Sequence, residues 1–258
     1  MRKRPAYFSS FAAVLLTALS VIPFLYVFAK SLISNQGGFT LAYYYQVFLA
    51  QEQYLLRFWK SLGLCLCITA GQVTVSTLAG YGFAKCSFPG KKILFFLLMV
   101  LMIMPLQVTL VPNFIILDGL KLLNTYYALA LPMIFVPLGT FIMTQSFRSV
   151  PDEIIEAARL DGCGTVGIIC RISAPMNRAG MVCTLLLSFL DGWNMVEQPM
   201  VYLENFGRYP ISVALASVPP EDPTVQLVCC ILTVLPPLFL FTYFNRELVE
   251  GIALGGEK

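Results

Sequence analysis

Residues 149–180 read SVPDEIIEAARLDGCGTVGIICRISAPMNRAG, and the fold is read outward from them. Pro151 suits a first helical turn. Asp152 and Glu153 complement the positive end of a helix dipole. Ile154, Ile155, Ala158 and Leu160 give a partly apolar face. Asp161-Gly162 stops the helix, because glycine accepts the conformation a turn needs. A second short helix is expected over residues 165–173, stopped by Pro175. Two short helices meeting at an angle make a compact element. The pair Ala157-Ala158 permits close approach of another surface, and Glu156 sets a charge beside it. The sequence leaves two readings open: a docking element for another protein, or an amphipathic hairpin resting on lipid.

The residues on either side of this element are strongly apolar. Of the 258 residues 58% are hydrophobic and only 12% charged, and mean hydropathy is +0.77. A soluble domain carries about twice that charged fraction. The apolar residues fall into six long runs, about 8–30, 59–84, 92–112, 124–147, 178–198 and 225–244. A span needs about 20 mostly apolar residues. The fifth run is the weakest, because Asp191, Asn194 and Glu197 lie in it. Each run is expected to be helical, since a backbone facing lipid must satisfy its own hydrogen bonds. The expectation is a single all-α membrane domain, 1–258, with residues 148–177 as a cytoplasmic connection between spans four and five.

Basic residues orient the chain. With the N-terminus inside, the inner segments hold Arg2, Lys3, Arg4, Lys85, Lys91, Lys92, Arg148, Arg159, Arg171, Arg178, Arg246 and Lys258. The outer segments hold Lys30, Arg57, Lys60, Lys121 and Arg208. That divides the 17 basic residues 12 to 5 and sets both termini in the cytoplasm. The spread of these charges between apolar runs, at a net charge of +3, is no nucleic-acid footprint. The chain has no histidine, which removes His-based acid–base catalysis and His-ligated metals. Its eight cysteines form no CxxC and read as small membrane-core hydrophobes.

Several motifs, in order, resemble one family. Glu156-Ala157-Ala158, Gly162, Ile172 and Pro175 look like the cytoplasmic loop of ABC importer permeases. Ala79-Gly80-Tyr81-Gly82-Phe83-Ala84-Lys85 with Phe88-Pro89-Gly90 resembles the exit of that family's second span. Met104-Pro105 with Val111-Pro112 resembles its third span, Gly119-Leu120 with Asn124-Thr125 its external turn, and Trp193-Asn194 its fifth span. The tail, with Gly251, Gly255, Gly256 and Lys258, resembles its C-terminus. The match is closest to permeases of carbohydrate importers, such as the smaller permease of the maltose type. One departure follows Pro175: the family tends to show another proline, whereas this chain has Met176-Asn177-Arg178. Asn177 is expected to cap the fifth helix.

The resemblance implies a type I ABC importer permease fold in the cell membrane and a transport subunit without catalysis of its own. It implies as partners a second permease, two ATPase subunits, an extracellular solute-binding protein and the lipid bilayer. ATP and Mg would sit on the partner ATPase, with no cofactor on this chain. Glu156, Ala157, Ala158, Asp161 and Gly162 would meet an ATPase subunit. Gly255, Gly256 and Lys258 would make tail contacts there.

Polar residues inside spans point to a substrate path. Thr69, Gln72 and Ser76 stand at i, i+3 and i+7. Asp191, Asn194 and Gln198 do the same in the fifth run. Gln107 lies between Pro105 and Pro112, and Trp193 offers an aromatic platform for a sugar. Such residues also serve as bonds between helices, so both roles stay open. The competing function is a secondary transporter, with Asp191 and Glu197 as ion-coupling carboxylates. It leaves residues 149–180 without a task.

Overall fold

A computed structural model describes residues 6–33, 37–50, 52–217 and 223–247. These form α1 (Ala6–Ser31), α2 (Ala42–Tyr45, running into a π turn at Gln46–Ala50), α3 (Glu52–Lys85), α4 (Lys91–Ile103) and α5 (Leu106–Gly119). Then come α6 (Tyr126–Ile134), α7 (Pro137–Arg148), α8 (Asp152–Leu160), α9 (Thr165–Ile168) and α10 (Ala174–Met176). The chain continues with α11 (Arg178–Trp193), α12 (Glu197–Tyr202), α13 (Ile211–Ser217) and α14 (Pro223–Tyr243). Among the described residues the only β pairing is an isolated bridge between Ile33 and Phe39.

Among the described residues four helical stretches are long and apolar enough to cross a membrane: Ala13–Ser31, Tyr54–Lys85, Tyr126–Arg148 and Pro223–Tyr243. The expected third span is two helices instead. α4 and α5 are bent by 107° at their junction. Pro105 explains the break, because a proline pushes the residue before it out of helical conformation. Met104 is accordingly extended, at φ −67° and ψ 130°. Val136, before Pro137, is extended for the same reason, and it interrupts the fourth segment between α6 and α7.

The fifth segment also ends sooner than expected. α11 has 16 residues, about 24 Å at the usual helical rise. Proline fits the first turn of a helix best, because further in it removes a backbone hydrogen bond. Pro199 therefore requires a fresh start, and α12 begins at Glu197 after non-helical Val196 (φ −128°, ψ −50°).

The chain divides into two compact units, Met1–Phe58 with Leu215–Leu235, and Trp59–Ala214 with Pro236–Lys258. In the first, the Tyr54 hydroxyl donates to the Cys229 carbonyl at 2.9 Å, and Ser31 Oγ lies 2.9 Å from Tyr44 Oη. In the second, α3 packs closely on α6 and α7, and α7 on α11. A Cβ on Gly71 would come within 2.8 Å of Ile134, and one on Gly80 within 2.6 Å of Met143 Cβ. Small residues at such crossings let backbones approach where lipid supplies no hydrophobic drive.

Two apolar clusters fill this second unit. One joins Leu64, Ile68, Leu110, Leu117, Leu129 and Met133 to Met195, Tyr202 and Leu203. The other gathers Tyr81, Met143, Phe147 and Val150 beneath α8, with Ile155, Ala158, Ile168 and Ile169.

Candidate functional site

The most developed site is the α8 element. Pro151 is the N-cap, one position earlier than a first-turn residue, with φ −60° and ψ 136°. Asp152 and Glu153 fill the first turn and Arg159 the last, each complementing the helix dipole. The C-terminus is a Schellman motif. The Cys163 amide donates to the Ala158 carbonyl and the Gly162 amide to the Arg159 carbonyl, both at 3.0 Å. Gly162 sits at φ +80°, the left-handed region where a Cβ is disfavoured.

α8 separates its residues cleanly. Ile155 and Ala158 are buried in the cluster with Tyr81, Met143 and Phe147. Glu153, Glu156, Ala157 and Leu160 follow the i, i+3, i+4, i+7 spacing of one helical stripe, and all four are exposed, Leu160 at 88%. The expectation that both alanines face outward is thus corrected. Ala157 does, while Ala158 faces the chain's own core, because Ile155 needs a neighbour one turn on to close the apolar stripe. Leu160 likewise belongs to the outward face and not with Ile155 and Ala158. Asp161 and Gly162 are exposed.

The second helix runs further than expected. α9, a π turn at Ile169–Ser173 and α10 are continuous to Met176, so Pro175 does not stop it at residue 173. The wider π turn just ahead accommodates the missing N–H and the ring, and Ala174 stays helical (φ −67°, ψ −47°). Asn177 stands at the N-cap position of α11, but its side chain makes no cap bond. Its Oδ1 accepts from Ser146 Oγ at 2.9 Å, and its Nδ2 donates to the Ser173 carbonyl at 2.9 Å. The buried amide ties the end of this second helix to α7.

At the opposite end, the Lys85 ammonium donates to Asp152 at 2.6 Å and to the Val150 carbonyl. Ala84, Lys85, Asp152, Ile155, Glu156 and Arg159 line a cleft there. Neither Lys85 nor the bonding of Asn177 was a sequence candidate. Asp152, Val150 and Ser146 lie too far along the chain from these residues for any local pattern to reveal the contacts.

The expected substrate-path residues fall into two groups. Gln107, Asp191 and Asn194 are exposed. Gln72, Ser76, Trp193 and Gln198 are buried within the unit. Trp193 stacks on Phe189 with ring centroids 5.7 Å apart, so its face is already covered. Gln198 donates to Met133 Sδ at 3.6 Å. The helical break before α12 removes it from the face expected to join it to Asp191 and Asn194. Thr69, Gln72 and Ser76 do share a face, and all three are buried. Gln107 Nε2 donates to both carboxylate oxygens of Glu197, at 2.9 and 3.1 Å. The tail candidates Gly255, Gly256 and Lys258 lie outside the described residues. Among the described residues, no three Cys, Asp or Glu side chains group closely enough to hold a metal ion.

Several membrane-length helices among the described residues, with one polar element anchored in the chain's own core, define an α-helical membrane protein. The family described as "Binding-protein-dependent transport system inner membrane component" matches residues 72–252, and the chain belongs to that family. It resembles the arabinooligosaccharides transport system permease protein AraQ of Halalkalibacterium halodurans, at 28% identity over 88% of this chain and 83% of that one. AraQ of Bacillus subtilis is 30% identical over 80% and 74% of the two chains. The sn-glycerol-3-phosphate transport system permease protein UgpE of Yersinia enterocolitica is 27% identical over 76% and 72%. The fold matches that of a bacterial ABC transporter involved in import of the acidic polysaccharide alginate. The TM-score is 0.83, at 18% identity, over 96% of this chain and 99% of that one. The protein is a permease subunit, and its work is transport, not catalysis.

Proposed function

We propose that this chain is one of two permease halves of an ATP-driven importer for a sugar, oligosaccharide or sugar derivative. It spans the cell membrane six times with both termini in the cytoplasm. α4 with α5 supplies the third span and α11 with α12 the fifth. The observation that carries the reading is α8. One face of this short helix is anchored in the protein's own core, while the other offers Glu153, Glu156, Ala157 and Leu160 to something else. An exposed leucine flanked by carboxylates suits a protein cleft better than lipid, whose interior rejects the two glutamates.

Docked there, an ATPase subunit carrying ATP and Mg moves α8, and the permease pair alternates between outward and inward access. A solute-binding protein delivers the substrate. The tail residues Gly255, Gly256 and Lys258 add contacts to the ATPase pair. The substrate class is supported by the relatives, which are named for arabinooligosaccharides and for sn-glycerol-3-phosphate, one a sugar oligomer and the other a phosphorylated polyol. Gln107, Asp191 and Asn194 supply exposed polar groups suited to such a solute.

The direct test is to purify the cognate binding protein, identify its ligand by mass spectrometry, and measure ATP-dependent uptake of that ligand into vesicles holding the complete complex. Uptake of a carbohydrate bears the proposal out. Uptake driven by an ion gradient without ATP would replace it with a secondary transporter.

A further inference from the structure

We propose that Lys85 is the positioning residue that locks α8 to the end of α3. Movement of α8 is then delivered to α3 through one side chain and not only along the connecting backbone. The inference rests on the docking reading of α8 given above.

Lys85 is the last residue of α3, yet only 8% of its side chain is exposed. Its ammonium has three protons to donate. One goes to the carboxylate of Asp152 at 2.6 Å and another to the carbonyl of Val150. These acceptors are 67 and 65 residues further along the chain and flank Pro151, the N-cap of α8. The contact therefore grips both the main chain leading into α8 and the first side chain of the helix. A surface ion pair between two flexible side chains fixes little. A carbonyl is part of the backbone, and a bond to it fixes the backbone.

α8 also meets α3 through apolar contacts. Ile155 and Ala158 join the cluster that holds Tyr81. Burial of apolar surface is non-directional, so these contacts hold α8 close while leaving its register along α3 open. The two bonds of Lys85 are directional and set that register. What lies up α3 makes the register matter. Gly80 touches Met143, and Ser76 lies against Gly139, so a shift at the end of α3 is felt directly by α7. Packed helices of this kind pass on displacement instead of absorbing it.

The test uses the complete transporter in vesicles, with Lys85→Met, Lys85→Arg and Asp152→Asn, and reads substrate imported per ATP hydrolysed. Lys85→Met is expected to lower that ratio by about fivefold or more, within the range of site-to-site coupling, with the complex recovered in normal amount. Lys85→Arg is expected to restore most of the ratio. Asp152→Asn is expected to fall between, because the bond to Val150 survives. A wild-type ratio in Lys85→Met overturns the proposal. So does a lower yield of complex with an unchanged ratio, which would make Lys85 merely a stabilising residue. A cysteine replacing Leu160, crosslinked to the ATPase in a chain that keeps Lys85 but lacks the native cysteines, separates this from the docking reading. If that crosslink forms while the ratio in Lys85→Met is unchanged, only the role of Lys85 falls. If it never forms, docking falls and the proposal with it.

Discussion

The Cys163 amide reaches back over Gly162 to the carbonyl of Ala158, 3.0 Å away, and this bond ends α8. It closes only because Gly162 adopts φ +80°. Beyond its two chain neighbours no described atom lies within 4 Å of where a Cβ would sit, so the demand on residue 162 is conformational and not steric crowding.

Replacing Gly162 with leucine is therefore expected to cost about 1–2 kcal/mol at the turn and to misdirect the chain leaving α8. Asparagine, which tolerates the left-handed region, is expected to cost much less. Membrane insertion should be normal in both, and uptake strongly reduced in Gly162→Leu alone. Equal uptake in Gly162→Leu and the wild type would remove any need for this turn.

The crossing of α3, α7 and α11 predicts a rescue. A Cβ on Gly139 would lie 2.4 Å from Ser76 Oγ and 3.0 Å from Thr184 Cγ2. Gly139→Ala is expected to destabilise the protein by about 1–3 kcal/mol, as overpacking does. Among the described residues Ser76 Oγ has no hydrogen-bond partner, so removing it frees space and breaks no bond to them. Gly139→Ala with Ser76→Gly should regain much of the loss in thermal unfolding in detergent. An additive double variant would show that the two residues do not share the space.

How much of this was legible in the sequence depends on distance along the chain. Residues 152–160 and the stop at Gly162 are local matters of acidic first turn, dipole and glycine, and they are found where expected. The breaks at Met104, Val136 and Val196 follow from Pro105, Pro137 and Pro199, but an average of hydropathy over 20 residues runs straight across them. The inward turn of Ala158 depends on Tyr81, Met143 and Phe147. The grip of Lys85 joins residues 67 apart. No spacing rule encodes either. Thr69, Gln72 and Ser76 share one face because α3 is unbroken there, whereas Gln198 leaves the face of Asp191 and Asn194 because α11 ends first.

Asn177 predicts a local loosening. Truncation to alanine leaves Ser146 Oγ without this partner, at about 1–3 kcal/mol for an unsatisfied buried group, while the Ser173 carbonyl keeps the Asn177 backbone amide at 3.2 Å. The expected consequence is faster trypsin cleavage after exposed Arg171 and Arg178, with cleavage elsewhere unchanged. A digestion pattern identical to wild type would mean that the apolar cluster alone holds this helix.

The two faces of α8 separate the docking reading from a lipid-resting hairpin. With native cysteines removed, single cysteines replacing Ala157 or Leu160 should crosslink to the ATPase in the assembled complex. A cysteine replacing Ala158 should not, because that position faces Ile155 and Tyr81. Labelling of residues 157 and 160 by lipid-phase reagents, without any crosslink to protein, would favour the hairpin.

The fifth segment allows a similar separation of path from packing. Asp191 and Asn194 are exposed on the described surface, whereas Trp193 between them is buried against Phe189. A general loosening of the segment would expose buried Gln198 along with Asp191 and Asn194. In a background without native cysteines, Asp191→Cys and Asn194→Cys should react with small water-soluble thiol reagents in at least one stage of the ATP cycle. Gln198→Cys, beyond the break and against Met133, should stay protected throughout. A carboxylate facing hydrocarbon is costly, so Asp191 has to meet water, the partner permease or the substrate. If the two cysteines are also shielded when substrate is present, the path reading gains its specific support. Protection of residues 191 and 194 at every stage, with or without substrate, would instead assign them to the contact between the two permeases.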